Sequence, residues 1–265
     1  LRTQAQAPCR RFHIHASGNS WHSSVEHFIE NKVIVKEKIV LFTGAGISAE
    51  SGLRTFRDMG GLWHEYSIEE VATPEGWRAN PELVLRFYNE RRQGVLDAQP
   101  NAAHIAIGKL EEKFDVVVIT QNIDDLHERG GSTKVIHVHG EILKARSSED
   151  ESLIYPMTKS SIELGELCEN GSQLRPHVVW FGETVLYMDE AARHIAEASK
   201  ILAVGTSLTV FPAAGLIKHA QYRAEKYFVA PERPKLPHGY HFMLGTATQM
   251  VPHIVDSWLQ GRKPE

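Results

Sequence analysis

The sequence predicts an α/β protein, a mostly parallel sheet with helices on both faces and a smaller inserted lobe. Three observations carry that expectation. Short apolar, β-branched runs recur along the chain, helical patterns fall between them, and the first run ends in a glycine-rich turn like those that follow buried parallel strands. Composition agrees. The chain has 265 residues, 42% of them hydrophobic, with 29 Lys+Arg against 33 Asp+Glu, 20 Gly and 2 Cys; this is enough for one large domain with a substantial core. A formal net charge of −4 gives no electrostatic footprint for duplex nucleic acid, so no direct nucleic-acid binding is expected. No apolar run is long enough to span a bilayer, and no membrane contact is expected. Cys9 and Cys168 allow at most one disulfide, cannot supply four thiolates to a zinc ion, and fit a reducing compartment.

Taken in order, residues 1–35 read as an N-terminal extension, disordered or a mis-assigned start. The first 25 residues lack Met at the start and any Asp or Glu, and carry Arg2, Arg10 and Arg11; a transit peptide is the alternative. The expected location is the cytoplasm, or the mitochondrion if that alternative holds. One domain follows over 36–265. Lys38 to Thr43 is its first strand, followed by expected strands at Val116 to Thr120, Val135 to Val138, His177 to Phe181, Ile201 to Val204 and Tyr227 to Val229. Helical patterns cover Ala102 to Lys113, Glu190 to Ser199 and Phe211 to Glu225. Asn80 and Pro81 are a helix cap and a first-turn proline, so a further helix starts there. Residues 51–100 hold no strand, and residues 145–175 are polar with no clear period. Both read as insertions that together form the smaller lobe, with a ligand cleft against the sheet.

Gly44-Ala45-Gly46-Ile47-Ser48-Ala49 fits the dinucleotide pattern G-x-G-x-x-A, though a plain turn fits it too. A second strand ending in an acid about 20 residues on, which a dehydrogenase needs, is absent. Hydride transfer is therefore disfavoured. Gln121-Asn122-Ile123-Asp124 follows a strand, where side chains line the crevice of a parallel sheet; helix capping is the bland alternative. His137 and His139 share one strand face by the two-residue period, ahead of Gly140. Gly205-Thr206-Ser207 is another small-residue turn at a strand end.

Together these segments, with Ser51-Gly52-Leu53-Arg54-Thr55-Phe56-Arg57, His139-Gly140 and Val179-Trp180-Phe181-Gly182-Glu183, resemble the sirtuin family of NAD-dependent protein-lysine deacylases over roughly residues 36–260. The resemblance implies a Rossmann-like sheet and NAD lying across Gly44, Ala45, Gly46, Ile47 and Ser48. It also implies Phe56, Arg57 and Trp63 in a loop over the ribose, and Gln121, Asn122, Ile123 and Asp124 at the nicotinamide end. Gly205, Thr206, Ser207 and Ala247 complete the implied cofactor set. In sirtuins an acyl-lysine amide oxygen attacks the nicotinamide ribose, and the products are nicotinamide, free lysine and O-acyl-ADP-ribose. His139 is then the general base, a task that suits an imidazole near neutral pH, and His137 is structural. Val179, Trp180, Phe181 and Gly182 would pair a substrate peptide as an added strand.

Val84, Tyr88, Arg91 and Val95 share one helical stripe, while Arg92 points elsewhere. An inward Arg needs an anion, supplied by an internal salt bridge or by a ligand. The Tyr-x-x-Arg pair, with small Ala72 ahead of Thr73-Pro74, resembles class III sirtuins, which remove malonyl, succinyl and glutaryl groups; a guanidinium and a phenol can hold such a carboxylate. Two features depart from the family. The usual two Cys-x-x-Cys pairs are reduced to Cys168, so no structural zinc is expected. Ala230 stands where the family often has a ribose-contacting Asn. The competing readings are a mono-ADP-ribosyltransferase and an inactive NAD or ADP-ribose binding module. Substrate proteins and oligomeric state are not legible.

Overall fold

The computed structural model describes residues 36–55 and 66–265. Expectations for residues 1–35, including Cys9, and for Phe56, Arg57 and Trp63 lie outside the described residues. Residues 36–265 form one compact unit.

The chain opens with strand β1 (Lys38–Thr43), then two short 3-10 turns. Three helices follow, α1 (Ile68–Val71), α2 (Pro74–Ala79) and α3 (Pro81–Asp97). As expected, the Asn80 side chain accepts from Leu83 N–H at 3.1 Å and Pro81 takes the first turn of α3. Next come α4 (Ala102–Lys109), β2 (Asp115–Thr120), α5 (Leu126–Arg129) and β3 (Val135–His137). Strands β4 (Gly140–Ser147), β5 (Ile154–Pro156) and β6 (Leu174–Val178) precede α6 (Met188–Glu197) and β7 (Lys200–Val204). The chain ends with β8 (Glu225–Ala230), β9 (His241–Leu244) and α7 (Ala247–Leu259).

Six strands form one parallel sheet in the order β3-β2-β1-β7-β8-β9. Alternation of side chains across it explains the two-sided core. Ile39 and Leu41 of β1 pack with Val116 and Val118 of β2 against α4 and α7, whereas Val40 and Phe42 join Val117 and Ile119 against α6. The four consecutive apolar residues of β1, Ile39 to Phe42, are thus satisfied by a helix layer on each side.

The second layer is the smaller lobe. Strands β5-β4-β6 make an antiparallel sheet, and Val84, Phe87, Tyr88 and Val95 of α3 pack against Ile142 and Val178 of that sheet and Trp180 beyond it. Residues 145–175, expected in the smaller lobe, lie there and frame its sheet, β4 and β6 pairing through Ala145–Pro176, Arg146–Arg175 and Ser147–Leu174. Two expectations are corrected here. The expected strand His177 to Phe181 starts earlier, stops at Val178 and belongs to this small sheet, not the parallel one. The expected helix Phe211 to Glu225 is a 3-10 segment over Ala213–His219. It breaks because the carbonyls of Gln221, Tyr222 and Ala224 turn to accept from buried Lys226 Nζ at 2.7, 3.0 and 2.9 Å. Among the described residues no helix is long and apolar enough to cross a membrane.

Candidate active site

The expected cofactor residues converge at the carboxyl ends of neighbouring parallel strands. Gly44–Ser48 follows β1, Gln121–Asp124 follows β2 and Gly205–Ser207 follows β7. The chain leaves β1 toward β2 on one side and takes up β7 on the other, which makes this edge the switch point where parallel sheets bind ligands. The glycines are required by mutual approach. A Cβ on Gly44 would stand 2.8 Å from Gly205 O, one on Gly46 2.8 Å from Gly205 Cα, and one on Gly205, whose φ is +68°, 2.3 Å from Ile47 N. Gly46 N–H donates to Gly205 O at 2.8 Å and Gly44 N–H to Val204 O at 3.1 Å. Ile47 and Ser48 amides close the 3-10 turn on Gly44 and Ala45, so of the five amides only that of Ala45 has no acceptor among the described residues.

Ser48 is the hub of the β2 side. Its buried hydroxyl donates to Asp124 Oδ2 at 3.1 Å and accepts from Asn122 Nδ2 at 3.1 Å, while Asp124 Oδ1 accepts from Leu126 N–H at 3.2 Å and starts α5. Burial pushes the Asp124 carboxyl up, against the lowering by the Leu126 and Ser48 hydrogen bonds and the nearby His137. Below the turn, Thr43 Oγ1 donates to Thr120 Oγ1 at 2.8 Å, and Thr120 Oγ1 accepts from Asn122 N–H at 3.0 Å. His127 Nε2 meets Thr43 Oγ1 at 2.9 Å; since that hydroxyl already donates its proton, the imidazole is the donor. Gln121 Oε1 accepts from Thr206 Oγ1 at 2.9 Å, tying the β2 turn to the β7 turn. Ile123 packs toward the smaller lobe and its carbonyl accepts from Ile142 N–H at 2.8 Å.

His137 and His139 each grip one carbonyl of that turn. His139 Nδ1 lies 3.0 Å from Gln121 O and His137 Nδ1 3.0 Å from Asn122 O. A carbonyl only accepts, so His139 carries its proton on Nδ1 and presents Nε2 as a lone pair. Burial lowers its pKa, partly offset by the Gln121 bond, which keeps the ring neutral and basic.

The wall opposite belongs to the smaller lobe. Tyr88 is buried, and its hydroxyl accepts from Trp180 Nε1 at 3.1 Å. Burial raises the phenol to about 12 despite nearby Arg91 and Arg175, so it stays protonated. Half-buried Arg91 lies with its guanidinium 5.5 Å from the Phe87 ring centre. Arg92, which the helical stripe places elsewhere, is fully buried; Nε donates to Ile142 O at 2.8 Å and Nη1 to Asn89 Oδ1 at 2.7 Å.

Sequence reasoning missed the support of Trp180. Glu183 accepts from Arg175 Nη1 at 2.7 Å and Nη2 at 2.9 Å, from Arg146 Nη2 at 3.0 Å and from Trp180 N–H at 2.8 Å, and the Arg175 guanidinium stacks 3.3 Å from the Trp180 ring centre. Isolated charges in the sequence carry no sign that they meet. Val179 N–H donates to His139 O and Phe181 N–H to Ala72 O, both at 2.9 Å. The amides of 179–181 are therefore all engaged inside the protein.

Ala247 opens α7 and shares a buried cluster with Ile47 of the β1 turn, while Ala230, where the family often has an Asn, ends β8, one residue after the Val229 carbonyl that accepts from Gly205 N–H at 3.4 Å; the Ala230 carbonyl accepts from Gly245 N–H at 3.1 Å. Half-buried Cys168 contacts Asn170 Oδ1 at 2.7 Å and Ser172 Oγ at 3.0 Å. Among the described residues no three His, Cys, Asp or Glu side chains are grouped to hold a metal.

A parallel sheet with a glycine-locked crevice at its switch point, faced by a second lobe, defines a nucleotide-binding α/β protein. Residues 44–212 match the Sir2 family model, and the chain belongs to that family. It is 48% identical over 196 residues to an NAD-dependent protein deacylase of Helicobacter pylori strain J99, a match covering 74% of this chain and 83% of the relative. It is 54% identical over 230 residues to one from Vibrio parahaemolyticus, covering 83% and 95%. A Sir2 homologue in complex with NAD superposes with a TM-score of 0.77 at 37% identity, covering 85% of this chain and 91% of that one. Sir2Tm bound to a propionylated peptide gives 0.69 at 30% identity, covering 83% and 93%.

Proposed function

We propose that the protein is an NAD-dependent protein-lysine deacylase that favours acyl groups ending in a carboxylate, such as succinyl and malonyl. The observation that carries the reading is the His139 ring: a neutral imidazole, oriented by Gln121 O, with one open basic nitrogen beside the Gln121–Asp124 turn. That is the state a general base needs. Related deacylases and the NAD-bound homologue support the same cofactor here.

The residues present fit NAD. The interlocked glycines hold the β1 and β7 turns without side chains between them, the Ala45 amide has no acceptor among the described residues, and the polar groups of Gln121, Asn122 and Asp124 are fixed by Thr206, Ser48 and Leu126. Bound there, NAD supplies the ADP-ribosyl group that accepts the acyl. Asn122 and Asp124 orient the nicotinamide end, and His139 Nε2 takes a hydroxyl proton.

The acyl preference rests on Tyr88 and Arg91. Indole N–H is a donor only, so Trp180 occupies an acceptor position of the Tyr88 oxygen and leaves the phenol proton to donate. With the Arg91 guanidinium one turn along α3, this gives charge-assisted bonds to a carboxylate and nothing to a neutral acetyl.

Incubation with NAD and a succinyl-lysine peptide, read by mass spectrometry, tests the proposal. The expected products are nicotinamide, unmodified peptide and O-succinyl-ADP-ribose in equal amounts. ADP-ribose attached to protein, or no NAD consumption, contradicts it.

A further inference from the structure

The second histidine of β3 has a role beyond packing. His137 Nδ1 faces Asn122 O at 3.0 Å and its Nε2 faces Glu128 Oε1 at 2.8 Å, and the ring is buried. A carbonyl and an ionised carboxylate can only accept, so both ring nitrogens must carry a proton. We infer that His137, held as an imidazolium between Glu128 and the Asn122 carbonyl, is a positioning residue that sets the Asn122 side of the nucleotide pocket. Neutral His139 and charged His137 thus hold adjacent carbonyls in opposite protonation states.

The surroundings favour the cation. From α5 come Glu128 and the uncharged, deeply buried His127; from the turn, Asp124; from β4, Glu141, which is itself paired with Lys144 at 2.7 Å. Burial alone would lower His137, but the Glu128 hydrogen bond and charge, the Asn122 carbonyl and Glu141 outweigh it, and the net shift is upward. Burial raises Glu128, but the His137 hydrogen bond and charge, a backbone hydrogen bond and Lys144 together outweigh it, so the net shift is downward and the carboxylate is ionised.

Loss of the proton is asymmetric. The bond to the carboxylate is charge-assisted and the stronger one, so the neutral ring keeps Nε2–H. Nδ1 then turns a lone pair toward Asn122 O. Release of that carbonyl loosens the turn through Asn122 Nδ2, Ser48 Oγ and Asp124 Oδ2, which form one hydrogen-bonded chain.

The functional half of this inference rests on the NAD-site reading, and the test separates the two. In wild-type protein, the His137 ring followed by 1H–13C NMR should titrate above the ordinary histidine value of about 6.5, and kcat/KM for NAD should fall on the alkaline side with the same midpoint. Glu128→Gln keeps an acceptor oxygen but removes the charge; ring midpoint and alkaline limb should both move down by about one pH unit. His137→Gln, which can donate to Asn122 O without titrating, should flatten the limb. A ring that titrates at or below about 6.5, or a limb that Glu128→Gln and His137→Gln leave in place, overturns the inference. The ring titration needs no turnover, so it decides the protonation state even if NAD is not the substrate.

Discussion

Single residues set the chemistry through which proton each holds. His139 is neutral because burial lowers its pKa, so it stays a base as pH falls and is lost only on passing below that lowered value. The acid limb of kcat/KM should lie below about pH 6.5, the ordinary histidine value; a limb above it would mean that another group is the base. Buried His104 and His177, each lowered to about 4 chiefly by burial, act on stability in the same sense. Unfolded, they take protons near pH 6.5; folded, they do not, so stability is present above that value and declines as pH falls toward about 4. His137 acts the other way only above about pH 6.5, where its contribution builds as pH falls through its raised value; below that it is complete. The urea midpoint should therefore drop between about pH 6 and about pH 5, and an unchanged midpoint contradicts these assignments. Arg91→Met should reduce kcat/KM for succinyl-lysine by on the order of 100-fold and for acetyl-lysine by only a few-fold, as expected for removing one charge-assisted contact. Equal losses would sink the carboxylate pocket. The positions of Gly44–Ser48 and Gln121–Asp124 at strand ends and of Tyr88 on a helical stripe are legible in the sequence, whereas the roles given to them and to His139 come from the family resemblance. The partners of Arg92 are not legible: its place on α3 says which way it points, but its acceptors, Ile142 O and Ser160 O, come from distant segments.

At the scale of elements, the β1 and β7 turns depend on each other. Gly205→Ala forces a Cβ to 2.3 Å from Ile47 N at a positive φ, whereas Gly171→Ala, also at positive φ (+81°), meets nothing within 4 Å. The second change should cost only the backbone strain, about 1–3 kcal/mol, and the first clearly more in urea denaturation. Similar losses would mean that the two turns do not touch. The buried strands β1, β2, β7 and β8 were legible as continuous apolar runs. Other elements were hidden for definite reasons. Strand β9 has only four residues, α7 carries Pro252 in its interior, β5 has only three residues, and β4 and β6 bury polar side chains such as Arg146, Ser147, Arg175 and His177 and gain their order from pairing across the small sheet.

In the whole molecule, a rigid parallel sheet presents its switch-point crevice to a lobe in which α3 and the β6 exit bring together Tyr88, Arg91 and Trp180. The small sheet is tied by Glu183 bridging Arg146 of β4 and Arg175 of β6, with Ser147 and Ser172 hydroxyls 2.6 Å apart nearby. That lobe needs no metal in this account, so a chelator should leave the melting temperature unchanged; a drop, or one tight zinc per chain by metal analysis, would overturn that expectation. Two lobes from one chain were foreseeable from the interrupted strand–helix alternation. The Glu183 tie was not, since no local pattern links Arg146, Arg175 and Glu183.

The central claim is that the open nitrogen of His139 serves as base on a nucleotide held at this crevice. The most direct measurement is the rate of O-succinyl-ADP-ribose formation by His139→Ala at saturating NAD and peptide. The account predicts a fall of on the order of 100-fold or more from loss of general base catalysis. A rate equal to that of the wild type would contradict it.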